Sequence, residues 1–204
     1  MHPEKVKYKQ HPLDFNLYIF DMGNVVIHNI ETLDKVAQHY GFDEAELRED
    51  YNHYAFPLMD GTIDSTLYWQ HVEHQFGIRV TGDPLAEFFR PVWNEPMVEI
   101  ITQLRKRDKK VVCGSNTYAP HWEWLLAEGF LQVFDELYAS HEMGISKPSK
   151  QFFIRILDAE QISAEETFFI DDYAENTVAA EALGITAHHY ESDAALHNYF
   201  KAIL

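Results

Sequence analysis

Four short stretches carry side chains able to do chemistry together. Asp21 follows the run Leu17-Tyr18-Ile19-Phe20, and Ser115-Asn116-Thr117 follows Lys110-Val111-Val112-Cys113-Gly114. Lys147 stands before Pro148, and Asp171-Asp172 follows Thr167-Phe168-Phe169-Ile170. The apolar runs are short and unbroken, the pattern of strands buried on both faces of a parallel sheet. Polar residues just beyond such runs lie at the carboxyl ends of the strands, where open α/β sheets bind ligands. Three carboxylates converging on one crevice repel one another unless a cation sits between them. Hard oxygens, with no Cys or His close to the acidic residues in sequence, suit Mg2+ rather than zinc. A divalent ion, a lysine and a hydroxyl beside main-chain amides make a site for a dianion such as phosphate.

The elements that must position these residues are legible from periodicity. Glu136–Ala139 is a weaker strand candidate. Pro96–Arg107 places Met97, Ile100, Ile101 and Leu104 on one helical face, with basic residues in the last turn. Trp122–Leu126 runs into Glu128-Gly129, a helix stop, and Gln151–Leu157 and Thr177–Leu183 are further helices. Strand and helix alternate from residue 96 onward, which predicts an α/β fold with a doubly wound parallel sheet and right-handed crossovers. Residues 28–95 read as helices only: Thr32–Tyr40, Glu44–Tyr54, Ser65–Phe76 and Pro84–Phe89, punctuated by Gly41, Pro57, Gly61, Gly77 and Gly82. The expected organisation is a polar N-terminal tail over 1–14, an α/β core over 15–27 and 96–204, and a helical cap over 28–95.

Composition narrows the partners. The chain has 204 residues, 46% hydrophobic and 24% charged, enough to bury a core without disulfides or a structural metal. Its single cysteine, Cys113, has no intramolecular disulfide partner, which fits a reducing compartment. No run approaches the roughly 18 apolar residues that span a bilayer, and the start lacks a charged-then-apolar signal pattern, so the expected location is cytoplasmic. The net charge of −17 sits outside the first twelve residues, where Lys5, Lys7 and Lys9 outnumber Glu4. An acidic body repels nucleic acid and anionic lipid, so neither is an expected partner. A phosphorylated substrate meets the same unfavourable field, which a metal or a local cation must overcome. Nothing in the sequence speaks to the oligomeric state.

Taken together, the stretches Phe20-Asp21-Met22-Gly23-Asn24-Val25-Val26, Gly114-Ser115-Asn116-Thr117, Gly144-Ile145-Ser146-Lys147-Pro148 and Phe169-Ile170-Asp171-Asp172-Tyr173-Ala174-Glu175-Asn176 resemble the four motifs of the haloacid dehalogenase superfamily, in order and around an inserted cap. Within it, the Asp-Met-Gly-Asn and Gly-Ile-Ser-Lys-Pro stretches are most similar to the bacterial α-D-glucose-1-phosphate phosphatase-like branch. The resemblance implies that Asp21 is a nucleophile forming an aspartyl-phosphate that water hydrolyses. It implies Mg2+ held by Asp21, the Gly23 carbonyl and Asp172, with Asp171 in or beside the metal shell. Ser115 and Asn116 would bind phosphate oxygens, and Lys147 would neutralise charge on the transferring group. The implied activity is Mg2+-dependent hydrolysis of a small phosphorylated metabolite, a sugar phosphate such as glucose 1-phosphate.

One position departs from the pattern. Phosphatases of this superfamily usually carry a second Asp two residues after the nucleophile, as general acid and base; here it is Gly23. Such help is typically worth about 10²–10⁴-fold. A sugar 1-phosphate, with its more acidic anomeric oxygen, needs it least, and His28, Glu31 and His53 are cap residues able to supply a proton. The same gap leaves two other readings open, a 2-haloacid dehalogenase using the same Asp, and a catalytically weak binding or regulatory member. His71 and His74, three apart, and the adjacent His188-His189 lack a further ligand set at metal spacing. The aromatic residues Tyr51, Tyr54, Phe56, Tyr68, Trp69 and Phe76 read as cap core, with one or two left to face a substrate. Arg48, Arg79 and Arg90 read as solvated.

Overall fold

The computed structural model describes residues 15–192 and 200–201; the expected 1–14 tail lies outside the described residues. Five strands, β1 (Leu17–Phe20), β4 (Lys110–Ser115), β5 (Glu136–Ala139), β6 (Thr167–Asp171) and β7 (Thr186–His189), form one sheet in the order β5-β4-β1-β6-β7. All four pairings are parallel, and Leu17 stands opposite both Lys110 and Thr167. With β1 in the centre, the chain winds outward on either side of it, so the carboxyl end of β1 is the point at which a ligand crevice opens.

The sheet is buried because its strands are apolar on both faces. Tyr18 and Phe20 join Val111, Cys113, Phe168 and Ile170 in one apolar cluster with α5 (Glu95–Arg105) and α6 (Ala119–Ala127). Leu17 and Ile19 join Val112 and Phe169 in a second, beneath α8 (Lys150–Glu160) and α9 (Ala174–Glu181). This is the period-2 alternation of a strand sending successive side chains to opposite layers. Gly114 lets the layers close, since a Cβ there would lie 2.8 Å from Ile19 Cγ2.

Between β1 and α5 lie α1 (Leu33–Tyr40), α2 (Glu44–Met59), α3 (Ser65–Phe76) and the short α4 (Pro84–Glu87), which pack around Leu47, Leu58, Tyr68, Trp69 and Val72. Asp43 and Asp64 cap α2 and α3 by accepting from the Glu46 and Leu67 N–H groups, as N-cap carboxylates do. Tyr118 of the α/β layer, 6% exposed, inserts into this cap cluster. Among the described residues no helix is long and apolar enough to cross a membrane.

Four elements differ from expectation. Residues 28–95 are not helices only, because β2 (Ile27–His28) and β3 (Val92–Trp93) pair antiparallel where the cap joins the core. Two-residue strands are too short to show an alternation; Asn94 reinforces the joint, its N–H donating to the Val26 carbonyl and its Nδ2 to that of Val25. The second cap helix does not stop at Tyr54 but runs through Pro57 to Met59. Proline removes one helical donor, yet Leu58 is 1% exposed and the Asp60 N–H still reaches the Phe56 carbonyl, so packing holds the last turn. Strand β7 was not anticipated, because Thr186-Ala187-His188-His189 carries no apolar run; it is the edge of the sheet, and its parallel pairing with β6 defines it.

Candidate active site

Asp21 stands just past the end of β1, Ser115 ends β4 and Asp171 ends β6, so three adjacent strands deliver their polar residues to one crevice. Lys147 arrives from the loop after β5 and α7 (Ser140–Met143), across a cis Lys147–Pro148 peptide. Asn116 ties this loop to its own: its Nδ2 donates to the Lys147 carbonyl at 2.9 Å and its Oδ1 accepts from the Lys147 N–H at 2.8 Å.

The Lys147 ammonium, 1% exposed, donates to Asp21 Oδ1 at 2.8 Å and to Asp171 Oδ2 at 2.6 Å. Burial alone would push its pKa down, but Asp171 and Asp21 together outweigh that and hold it above the ordinary lysine value. The second Asp171 oxygen accepts from the Tyr173 N–H and from Asn176 Nδ2. Asp171 therefore has both oxygens engaged by the protein. Asp172 is arranged differently: Oδ2 accepts from Asn24 Nδ2 at 3.1 Å, while Oδ1 is buried with no hydrogen-bond partner. Asn24 reaches it from a left-handed conformation (φ 55°) that asparagine tolerates better than most residues.

Asp21, Asp171 and Asp172 each place a carboxylate oxygen within 4.8 Å of the others. Burial, opposed by Lys147 and aided by Asp171 and Asp172, raises the Asp21 pKa to about 7. A proton costs least there until a cation takes its place. Asp172 belongs to this cluster and keeps one buried oxygen without a partner, which is the observation that fits a metal ion, since a buried acceptor without a partner is costly. All-oxygen donors suit Mg2+.

Above these carboxylates opens a cavity of about 590 Å3 between the cap and the sheet. Its floor includes Asp21, Gly23, Asn116, Lys147 and Asp172. One wall is a single face of α2, with Arg48, Tyr51, Asn52, Ala55, Phe56 and Met59 at helical spacing. Opposite, Tyr118 and His121 come from the start of α6. His121 is pushed down to about 3 by burial, and is thus neutral; it stacks on Phe89, centroids 3.8 Å apart, and donates from Nε2 to the Leu85 carbonyl.

The site residues expected from sequence are thus gathered, with distinctions. Ser115 is 4% exposed and ends β4 beneath the cavity, which its neighbours Asn116 and Thr117 line. Of the cap residues able to supply a proton, Glu31 lines the cavity and pairs with Arg48 at 3.3 Å, whereas His28 lies in β2 and His53 turns back to the Glu49 carbonyl. Arg48 is correspondingly not simply solvated, while Arg79 and Arg90 stand apart from the cavity wall. Tyr51 and Phe56 are the aromatic residues of the cap stripe that face the cavity. His71 pairs with Asp50 at 2.8 Å inside the cap, and His189 meets the Asp172 carbonyl at 3.0 Å. Sequence reasoning missed the supporting roles of Asn24 and Tyr118, whose partners are distant in the chain, and of Asn176, which reaches back five residues to Asp171.

A family profile described as haloacid dehalogenase-like hydrolase matches residues 15–184, which span the cap and every strand of the sheet except the edge strand β7. The chain belongs to the haloacid dehalogenase-like hydrolases. Among characterised hydrolases it is 29% identical over 154 residues to sesquiterpene phosphatase astK of Aspergillus oryzae, covering 63% of this chain and 75% of that one. It is 24% identical over 202 residues to D-ribitol-5-phosphate phosphatase of Bacteroides thetaiotaomicron, covering 91% and 97%. A wild-type haloacid dehalogenase family enzyme of B. thetaiotaomicron, solved with magnesium and inorganic phosphate, superposes with a TM-score of 0.74 at 23% identity, covering 87% of this chain and 94% of that one. At that identity the likeness establishes the hydrolase fold.

Proposed function

We propose that this hydrolase is a Mg2+-dependent phosphatase that acts on a small phosphorylated metabolite, a sugar phosphate such as glucose 1-phosphate, with Asp21 as nucleophile. The observation that carries the reading is the unequal use of two adjacent carboxylates. Asp171 is saturated by Lys147, Tyr173 and Asn176, while Asp172 keeps a buried oxygen without a partner beside Asp21. Asp21, Asp172 and the Gly23 carbonyl would hold the ion, leaving Asp171 to hold Lys147. When bound, Mg2+ supplies positive charge that screens the carboxylates and stabilises charge on the phosphoryl oxygens.

The chain's own residues then divide the work. Asp21 Oδ2, the oxygen not bonded to Lys147, attacks phosphorus in line, and the bond to the leaving oxygen breaks. Lys147, fixed by two carboxylates, offers its remaining donor to an equatorial phosphoryl oxygen. Ser115 and Asn116 bind the other oxygens. Because the Asn116 side chain is taken by Lys147, its contribution comes from the main chain. Water then hydrolyses the aspartyl-phosphate and regenerates Asp21. With Gly23 in place of an acid, the leaving oxygen departs with little proton transfer, which favours an acidic anomeric oxygen. Two relatives named as phosphatases, one for a polyol phosphate and one for a sesquiterpene, support the reaction class.

The test is phosphate release from a panel of sugar phosphates with Mg2+, beside Asp21→Asn. Turnover by the wild type and none by the variant is expected. Equal background release by both overturns the reading, as does full-rate chloride release from 2-chloropropionate in chelator.

A further inference from the structure

We propose that Ser140 is a positioning residue that couples docking of the cap to the loop holding the phosphate, an inference that rests on the phosphatase reading above. Ser140 begins α7 directly after β5 and is fully buried. Its hydroxyl oxygen accepts from the Thr117 N–H at 2.9 Å, on the loop that carries Ser115 and Asn116. Its one proton has two acceptors: the Thr117 carbonyl at 3.0 Å, within the core, and the Met59 carbonyl at 2.5 Å, at the end of cap helix α2. The Ser140 carbonyl meanwhile accepts from the Gly144 and Ile145 N–H groups at the start of the Lys147 loop. One residue therefore touches the phosphate loop, the lysine loop and the cap.

Its chemistry suits two cap positions. With the cap docked, the hydroxyl gives its proton to Met59, the shorter bond. With the cap lifted, the same proton turns to Thr117 and no buried donor is stranded, so opening costs little. Docking is therefore registered at Thr117, next to Asn116, which grips Lys147. Met59 belongs to the α2 face that walls the cavity, so a substrate under that face presses on the same contact. The approach is close: Gly61, at φ +71°, lies where a Cβ would come 2.7 Å from the His141 carbonyl oxygen, main chain that cannot swing aside. A side chain at 61 lifts the cap from α7 without altering Ser140.

A double-mutant cycle separates this coupling from ordinary loss of packing. With Mg2+, p-nitrophenyl phosphate is long enough to extend from the floor toward α2, whereas acetyl phosphate is short enough to be served by the floor alone. Gly61→Ala is expected to lower kcat/KM for p-nitrophenyl phosphate about tenfold, because the lifted cap no longer registers at the phosphate loop, and to leave acetyl phosphate unchanged. In a Ser140→Ala background, Gly61→Ala is expected to change p-nitrophenyl phosphate turnover less than about twofold, because the contact it breaks is already gone. Equal losses in both backgrounds overturn the proposal, since backbone strain at 61 is the same in each. A second readout does not need turnover. Amide exchange in Ser140→Ala should quicken over residues 56–63 and 115–118 together; quickening confined to 115–118 overturns the coupling. If the wild type hydrolyses neither ester, the phosphatase reading fails while the exchange experiment still decides the role of Ser140.

Discussion

Lys147 and Asp171 are joined by a 2.6 Å charge-assisted hydrogen bond in which neither side chain meets solvent, at 1% and 0% exposure. Charges this deep are tolerated only when paired on every side. Asp21 shares the same ammonium at 2.8 Å, so the proposed nucleophile, the lysine and the saturated carboxylate form one unit. The unit is preorganised: the ammonium is already desolvated and held in place before a phosphoryl group arrives.

Removing the pairing carboxylate should therefore be a stability lesion first. Asp171→Asn leaves Lys147 with one charged partner in a dry setting, and the expected loss is about 3 kcal/mol. Urea unfolding monitored by circular dichroism measures it; a loss below the scatter of surface substitutions would show that Asp171 is not the main counter-ion.

Asp172 should behave in the opposite way. Its free oxygen has no protein partner to lose, so Asp172→Asn is expected to keep the melting temperature of the ion-free protein and to weaken Mg2+ binding at least about tenfold. Calorimetric titration of Mg2+ into both proteins checks this, and chelator should abolish wild-type turnover until Mg2+ is restored.

Proton and metal compete for Asp21. In the ion-free protein its pKa is raised to about 7 by burial and by Asp171 and Asp172 against the pull of Lys147. A carboxyl raised in the folded state adds stability below its unfolded value near 4 and loses it as pH climbs through 7. The ion-free protein is thus expected to melt lower at pH 8 than at pH 6. Since the ion needs the carboxylate, Mg2+ affinity should be about tenfold stronger at pH 8, with a larger thermal shift. A shift independent of pH would contradict the raised pKa.

Gly23 can be tested by restoring what is missing. A Cβ at 23 would sit 2.8 Å from Ile30 Cδ1, the mobile tip of a side chain, and the backbone there is not left-handed. Gly23→Asp should therefore fold and should raise turnover of alkyl phosphates, by about tenfold, more than that of p-nitrophenyl phosphate, whose leaving group needs no proton. Equal effects on both esters would place the limiting step elsewhere.

Much of this protein was readable from its sequence because burial on both faces leaves unbroken apolar strands, and the polar residues that stop them gather at one crevice. The runs ending at Phe20, Gly114 and Ile170 located the central three strands, and the 3.6-residue spacing of Met97, Ile100, Ile101 and Leu104 located α5. Side-chain type, however, is blind to partners. Asp171 and Asp172 are adjacent and chemically identical, yet one faces Lys147, 24 residues away, and the other faces Asn24, 148 away. The neck strands β2 and β3, the turn of α2 beyond Pro57 and the contact of Ser140 with Met59, 81 residues apart, likewise exist only once the cap lies on the sheet. Local periodicity sets what each segment becomes; long-range packing decides which oxygen is left without a partner, and that oxygen is where the ion is proposed to bind.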